Sequence, residues 1–270
     1  MRTFCFLAIA VVLAGASIGC GSEELESAPL DREITVDGNA GDWKGILQFV
    51  EAGNMSYGLA NDGRSMYIAL VVGDREVRRQ VIMSGLYLWF DPEGHENRRF
   101  GIRFPIGLQE NADDMAPMFR EHDPNKLSDS FDETVKEMMV IGPNDQTWRR
   151  VAVNAVDGIE AAARADANML VLEFKVPVSS DGQYGYGVGA RPGDVIGVGV
   201  ETPKLNLEGS RPKMRPAGDG PGSMGGGMGG GMEGGHPPSG RGPGGGGRPG
   251  MPDPIKVWTK VHLAAEGFSG

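Results

Sequence analysis

Ser65-Met66-Tyr67-Ile68-Ala69-Leu70-Val71-Val72 is the stretch that decides the fold class. In an extended chain Met66, Ile68, Leu70 and Val72 share one face, and Tyr67, Ala69 and Val71 share the other. Both faces are apolar, which predicts a strand covered on both sides near the middle of a sheet. Just before it, Asn61-Asp62-Gly63 has the composition of a tight turn and closes a hairpin with a strand around Tyr57. Gly85 to Phe90 is again apolar on both faces. From Arg99 to Phe104 the pattern changes: Phe100, Ile102 and Phe104 face one way and Arg99 and Arg103 the other, which predicts a strand wet on one side. Leu170, Leu172, Phe174 and Val176 alternate with Glu173 and Lys175, Ile196, Val198 and Val200 alternate with Gly197 and Gly199, and a last strand covers Ile255 to Leu263. Many short strands with turn-rich spacing predict an all-β fold, an antiparallel β-sandwich of jelly-roll type. A single short helix is expected in the insertion between Gly107 and Met138, where Ser130 and Glu133 have capping-box spacing ahead of Val135, Met138 and Met139.

The ends of the chain read differently. Arg2 followed by the apolar run Phe4 to Ala14 has the form of an export signal over residues 1–19 and is too short to span a bilayer. Ser17-Ile18-Gly19-Cys20 resembles the lipobox of bacterial lipoproteins, which would make Cys20 the lipid-attachment site and the mature N-terminus. The lipobox usually has Leu where Ser17 stands, and Ala14-Gly15-Ala16 offers an ordinary cleavage site, so plain secretion is the alternative. With Cys5 removed alongside the signal, Cys20 is the one cysteine left, and no intrachain disulfide can form. Gly21 rather than Asp after the cysteine points to an exported protein anchored in the outer membrane of a bacterial envelope. Residues 20–32 are expected to be a solvated, lipidated tether, and residues 33–264 one sandwich domain. Inside that domain, residues 216–252 hold 18 glycines among 37 residues and are expected to be a disordered Gly/Pro/Met-rich loop, because they bury too little to offset their ordering entropy.

Ile34-Thr35-Val36-Asp37-Gly38-Asn39-Ala40-Gly41-Asp42-Trp43 adds a motif: short strand, tight turn, Trp-led segment. Together with "SMYIALVVGD", "GLYLWFDPEG", "RRFGIRFP" and the late "IKVWTKVHLA", it resembles the family 9 carbohydrate-binding modules. The resemblance spans most of residues 33–205 and 253–264. It implies a β-sandwich that binds a glycan or polysaccharide without catalysis and holds calcium. Members with a sugar clamp carry a Trp just ahead of the strand matching Gly85 to Phe90, and residues 77–83 contain none.

Candidate site residues follow from the residues themselves. Trp258 shares a strand face with Lys256, Lys260 and His262, so its indole is either a stacking platform for a ligand or an amphipathic cover. Trp148 beside Arg149 is a second candidate. In this reading the indoles stack on a sugar's apolar face, and Lys256, Lys260 and Arg149 address its oxygens. Asp37 with Asp42, and Asp91 with Glu93, are oxygen-rich pairs suited to calcium or, equally, solvated turn residues. Gly15, Ser17 and Gly19 fit a nucleophile elbow by spacing but lie in the signal, and His95, His122, His236 and His262 lack zinc-ligand spacing. Met224, Met228 and Met232 offer thioethers with no His or Cys beside them. No enzyme is read here. The net charge of −10 and a pI near 5.0 disfavour nucleic acid as a partner. The membrane is reached only through the lipid. The rival to glycan binding is an envelope scaffold or assembly lipoprotein that docks a protein partner through the same sandwich.

Overall fold

A computed structural model describes residues 24–110, 131–166, 168–180, 185–205 and 253–265. The 216–252 insertion, the signal segment, Cys20 and the Met224, Met228 and Met232 cluster lie outside these residues. Alternation is realised as two stacked sheets. In chain order the strands are β1 (Glu24–Glu26), β2 (Ala28–Pro29), β3 (Leu47–Val50), β4 (Met55–Asn61), β5 (Ser65–Val72), β6 (Tyr87–Asp91) and β7 (Phe100–Arg103). After them come β8 (Glu137–Ile141), β9 (Trp148–Ala152), β10 (Glu160–Ala165), β11 (Leu170–Pro177), β12 (Val195–Glu201) and β13 (Lys256–His262). One sheet runs β1-β13-β12-β6-β7-β8-β9 and the other β10-β11-β5-β4-β2, with β3 also on β4. The pairs are antiparallel except β1 with β13 and β2 with β4. This is the expected all-β sandwich.

β5 sits between β4 and β11, as its two apolar faces require. Asp62 Oδ1 accepts the Arg64 and Ser65 amides, and Gly63 at φ +83° supplies the left-handed position of the β4–β5 turn. The inner faces meet in one core that includes Tyr57, Ile68, Leu70, Leu88, Phe90, Phe174 and Val198. Phe104 meets Phe174 edge-on across the sheets, with ring centroids 5.9 Å apart.

Four expectations are corrected. Residues 24–29, read as a solvated tether, are paired into the edges of both sheets, and Leu25 and Ser27 are buried. Asn61 locks them in place, because its Oδ1 accepts from Ser27 Oγ and the Ala264 amide while its Nδ2 donates to the Ala264 carbonyl. The expected helix is present at residues 131–134, with residues 111–130 outside the described ones, but it does not reach Met138 and Met139, which belong to β8, where Met138 and Val140 face the core. Among the described residues the longest helix is α1 (Arg75–Ser84), capped by the Asp74 carboxylate on the Glu76 and Val77 amides and ended at Gly85. Its Val77, Val81 and Ile82 pack on the core.

The fourth correction concerns Glu173, whose place in the alternation predicts solvent exposure. It is fully buried. Its Oε2 accepts the backbone amides of Asp37, Gly38 and Asn39, and its Oε1 accepts Trp43 Nε1–H at 2.6 Å. The "DGNAGDW" turn is thus wrapped around one carboxylate. Trp43 lies on Gly58 of β4, where any Cβ would run into the indole, and it joins Ile34, Ala60, Tyr67 and Ala69 in closing the outer face of this sheet.

Candidate functional site

On the seven-stranded sheet, strand register alone assembles a site. Pairings across the sheet align Trp258, Gly199, Trp89, Gly101, Ile141 and Trp148 in one row, all on the face away from the core. The glycines in this row make room for the indoles. A Cβ on Gly199 would fall 2.5 Å from the Trp258 ring, and one on Gly101 would run into Trp89. The row one step along holds Lys256, Glu201, Tyr87, Arg103, Met139 and Arg150.

These rows interlock through charge and rings. Tyr87 and Trp89 stack at 5.5 Å with planes 13° apart. Arg98 lies over Trp89 at 5.7 Å and Arg103 over Tyr87 at 5.1 Å, which gives a cation, two rings and a second cation in succession. Carboxylates hold both cations: Arg98 Nη2 donates to Glu201 Oε2 at 2.5 Å, and Arg103 Nη1 pairs with Glu110 at 2.7 Å. Arg103, expected on a wet face, is therefore buried; its Nη2 also donates to the Ser84 carbonyl.

Beside this ladder is a cleft of about 380 Å³ that includes Tyr87, Trp89, Arg98, Asp145, Trp148 and Glu201 in its walls. Its size is that of a small-molecule site. A second cleft of about 550 Å³ adjoins it and shares Arg98, Asp145 and Glu201; Lys256 lines its far side. Thr202 fixes the rim, since its Oγ1 accepts from Gln80 Nε2 of α1 at 2.7 Å and from the Ile255 amide at 2.9 Å. Among the described residues no helix is long and apolar enough to cross a membrane.

The two candidate indoles have different surroundings. Trp148 is 58% exposed and edges the first cleft. Trp258 lies on the expected face yet is only 8% exposed, with Nε1 donating to Glu201 Oε1 at 3.1 Å. It cannot offer a whole ring face. The cause is the β6–β7 turn, which folds back over β12: the His95 carbonyl sits against Gly197, and Asp91 accepts the Glu93 and Asn97 amides. Lys256 lines the second cleft, whereas Lys260 lines a separate recess with His95 and Trp258. Arg149 leaves the site altogether, because β9 alternation turns it to the other face, over the Tyr186 ring at 5.7 Å. Tyr87, Trp89, Arg98, Asp145 and Glu201 were not singled out from sequence as ligand contacts. The register of Trp89 with Gly101 and Gly199 was the signal, and it is invisible until the strands are paired.

One metal-capable group is present among the described residues: Asp91, Glu93 and His95 each offer a ligand atom within 4.8 Å of the others. Both Asp91 oxygens already accept backbone amides, and two carboxylates with an imidazole fall short of the 6 to 8 oxygens that calcium takes. An imidazole suits a softer cation. The other expected pair serves its turn: Asp37 Oδ1 accepts the Asn39 amide and Asp42 Oδ2 the Thr35 amide.

No protein-family model and no curated protein sequence matches the chain. Among solved structures, it is similar to a family 9 carbohydrate-binding module from Caldicellulosiruptor kristjanssonii in complex with glucose, at 10% identity and a TM-score of 0.35, over 70% of this chain and 82% of that one. A module of the same family and organism in complex with cellotriose matches at 9% identity and a TM-score of 0.34, over 69% and 80%.

Proposed function

We propose that the chain is a glycan-binding protein and that the cleft edged by Trp148 is its site. The observation that carries this reading is an indole exposed over more than half its surface, beside the paired planar groups of Arg98 and Glu201 and next to Asp145. A pyranose has an apolar face for the indole and hydroxyls that both donate and accept, which this mixture of guanidinium and carboxylates answers. The formal charges of Arg98, Asp145 and Glu201 nearly cancel, and Lys256 on the far side completes the balance, so a neutral sugar suits the site. Isothermal titration with glucose and cellotriose tests it. The expectation is measurable heat from at least one sugar and a loss of at least about tenfold in affinity for Trp148→Ala, with unchanged thermal stability. Absence of heat from both sugars, or a Trp148→Ala protein that binds as well as wild type, counts against the reading.

We further infer that Cys20 carries lipid and anchors this protein in a bacterial envelope membrane. Three residues, Gly21 to Glu23, separate Cys20 from β1. At about 3.3–3.6 Å per residue, that spacing would hold the sandwich within about 15 Å of the bilayer. Mass spectrometry of the protein purified from membranes, compared with Cys20→Ser, checks the acyl mass; an unmodified mature N-terminus refutes it.

A further inference from the structure

We propose that in the free protein Arg98 occupies a second sugar subsite, centred on Trp89, and that an oligosaccharide displaces it. This rests on the glycan reading of the Trp148 cleft. Three observations carry it.

Position comes first. Arg98, Asp145 and Glu201 line both adjoining clefts, so the Arg98 side chain stands between them. Were it to swing out, the two would join into a longer groove leading from Trp148 toward Lys256.

What Arg98 covers comes second. Its planar guanidinium lies over the Trp89 ring and bonds Glu201 Oε2. A sugar ring uses those same two contacts, one face on an indole and a hydroxyl on a carboxylate. Trp89 is only 4% exposed. The Arg98 side chain is 45% exposed, so water competes for its pairings and they are readily exchanged. Glu201 would not be stranded by the exchange, because Trp258 Nε1 still donates to its other oxygen.

An unmet donor comes third. Trp89 Nε1–H is buried and has no hydrogen-bond partner, whereas Trp43 and Trp258 each donate to a carboxylate. Buried donors are rarely left unpaired. A ligand oxygen in the plane of the indole, reached once the guanidinium has left the ring face, would supply the acceptor.

Full-length protein labelled with ¹⁵N at tryptophan gives four indole N–H resonances, assigned by single Trp→Phe variants. Titration with glucose is expected to move Trp148 alone, and titration with cellotriose to move Trp148 and Trp89, with Trp43 as a fixed reference. Arg98→Ala, a half-exposed position whose fold is checked by thermal melting, is expected to raise the ratio of cellotriose to glucose affinity about fivefold, because the contact it removes from the Trp148 cleft is lost to both sugars and the opened subsite serves cellotriose alone. If cellotriose moves Trp148 but leaves Trp89 still in both proteins, the subsite is refuted while the cleft stands. An equal change of both affinities in Arg98→Ala leaves their ratio where it was and also overturns the proposal. If neither sugar moves Trp148, the cleft reading fails and the subsite fails with it.

Discussion

Replacing Glu173 by Gln tests the claim that one buried carboxylate anchors the N-terminal turn. Glutamine keeps the shape but has one acceptor oxygen for two sets of donors: the amides of Asp37, Gly38 and Asn39 on one side and Trp43 Nε1 on the other. The cheaper placement aims the carbonyl at the three amides and leaves the fully buried indole N–H facing an NH₂ group. An unmet buried donor costs about 1–3 kcal/mol, and each remaining bond drops from charge-assisted to neutral strength, a loss of about 1 kcal/mol apiece. Against this stands relief from burying a charge that no Lys or Arg pairs with among the described residues. The net expectation is a destabilisation of about 3 kcal/mol, or about 6–12 °C in Tm for a chain of this size. Urea denaturation followed by far-UV circular dichroism and by tryptophan fluorescence measures it. A loss below about 1 kcal/mol would show that the turn amides find water instead, and would refute the anchoring argument.

Two further outcomes follow from the same geometry. Gly199→Ala places a methyl group 2.5 Å from the Trp258 ring, so the indole must lift and its bond to Glu201 breaks; chemical denaturation is expected to show a loss of about 1–3 kcal/mol. Stability should also fall at alkaline pH. Burial pushes the Tyr67 hydroxyl above its ordinary 10.0, and the bond to Glu160 raises Lys175 above 10.5, next to the Tyr67 ring. A group whose folded pKa is raised contributes stability that is full below its unfolded pKa and is lost as pH rises through the folded one. Unfolding measured across pH 9 to 12 is therefore expected to show a decline beginning near pH 10 that is smaller in a Tyr67→Phe, Lys175→Met double variant; equal slopes would disprove the coupling.

Fold class was legible because alternation is a local signal. Met66 to Val72 announces its two buried faces within eight residues, and pairing on both sides follows. What failed to show was held by partners distant in sequence. Glu24 to Pro29 form strands too short to have a pattern of their own, and their places come from β13 and β4. Glu173 reads as a wet residue until a turn 130 residues upstream folds over it. The α1 helix was legible in principle, from Asp74 as a cap, Val77 and Val81 four apart, and Gly85 as a stop, but the apolar strand after it dominated the reading. For the site, period two put Trp258 on the correct face. Exposure depended on the β6–β7 turn, which no pattern in β13 reports.

The two outer faces differ in what covers them, and the proposed site lies on the face with the looser cover. Both sheets carry an indole seated on a glycine, and each such pair leaves a flat apolar patch that water would otherwise wet. On the β4–β5 sheet the chain itself covers the patch, with Trp43 and Ile34 fixed there by the Glu173 anchor. On the other sheet the cover over Trp89 and Ile141 comes, among the described residues, from side chains such as Tyr87, Met139 and Arg98. A cover of backbone tied by four hydrogen bonds to a buried carboxylate is permanent under native conditions. A half-exposed guanidinium held by one carboxylate is exchangeable, and an exchangeable cover over an aromatic surface, beside an exposed indole, is what a ligand of rings and hydroxyls can replace.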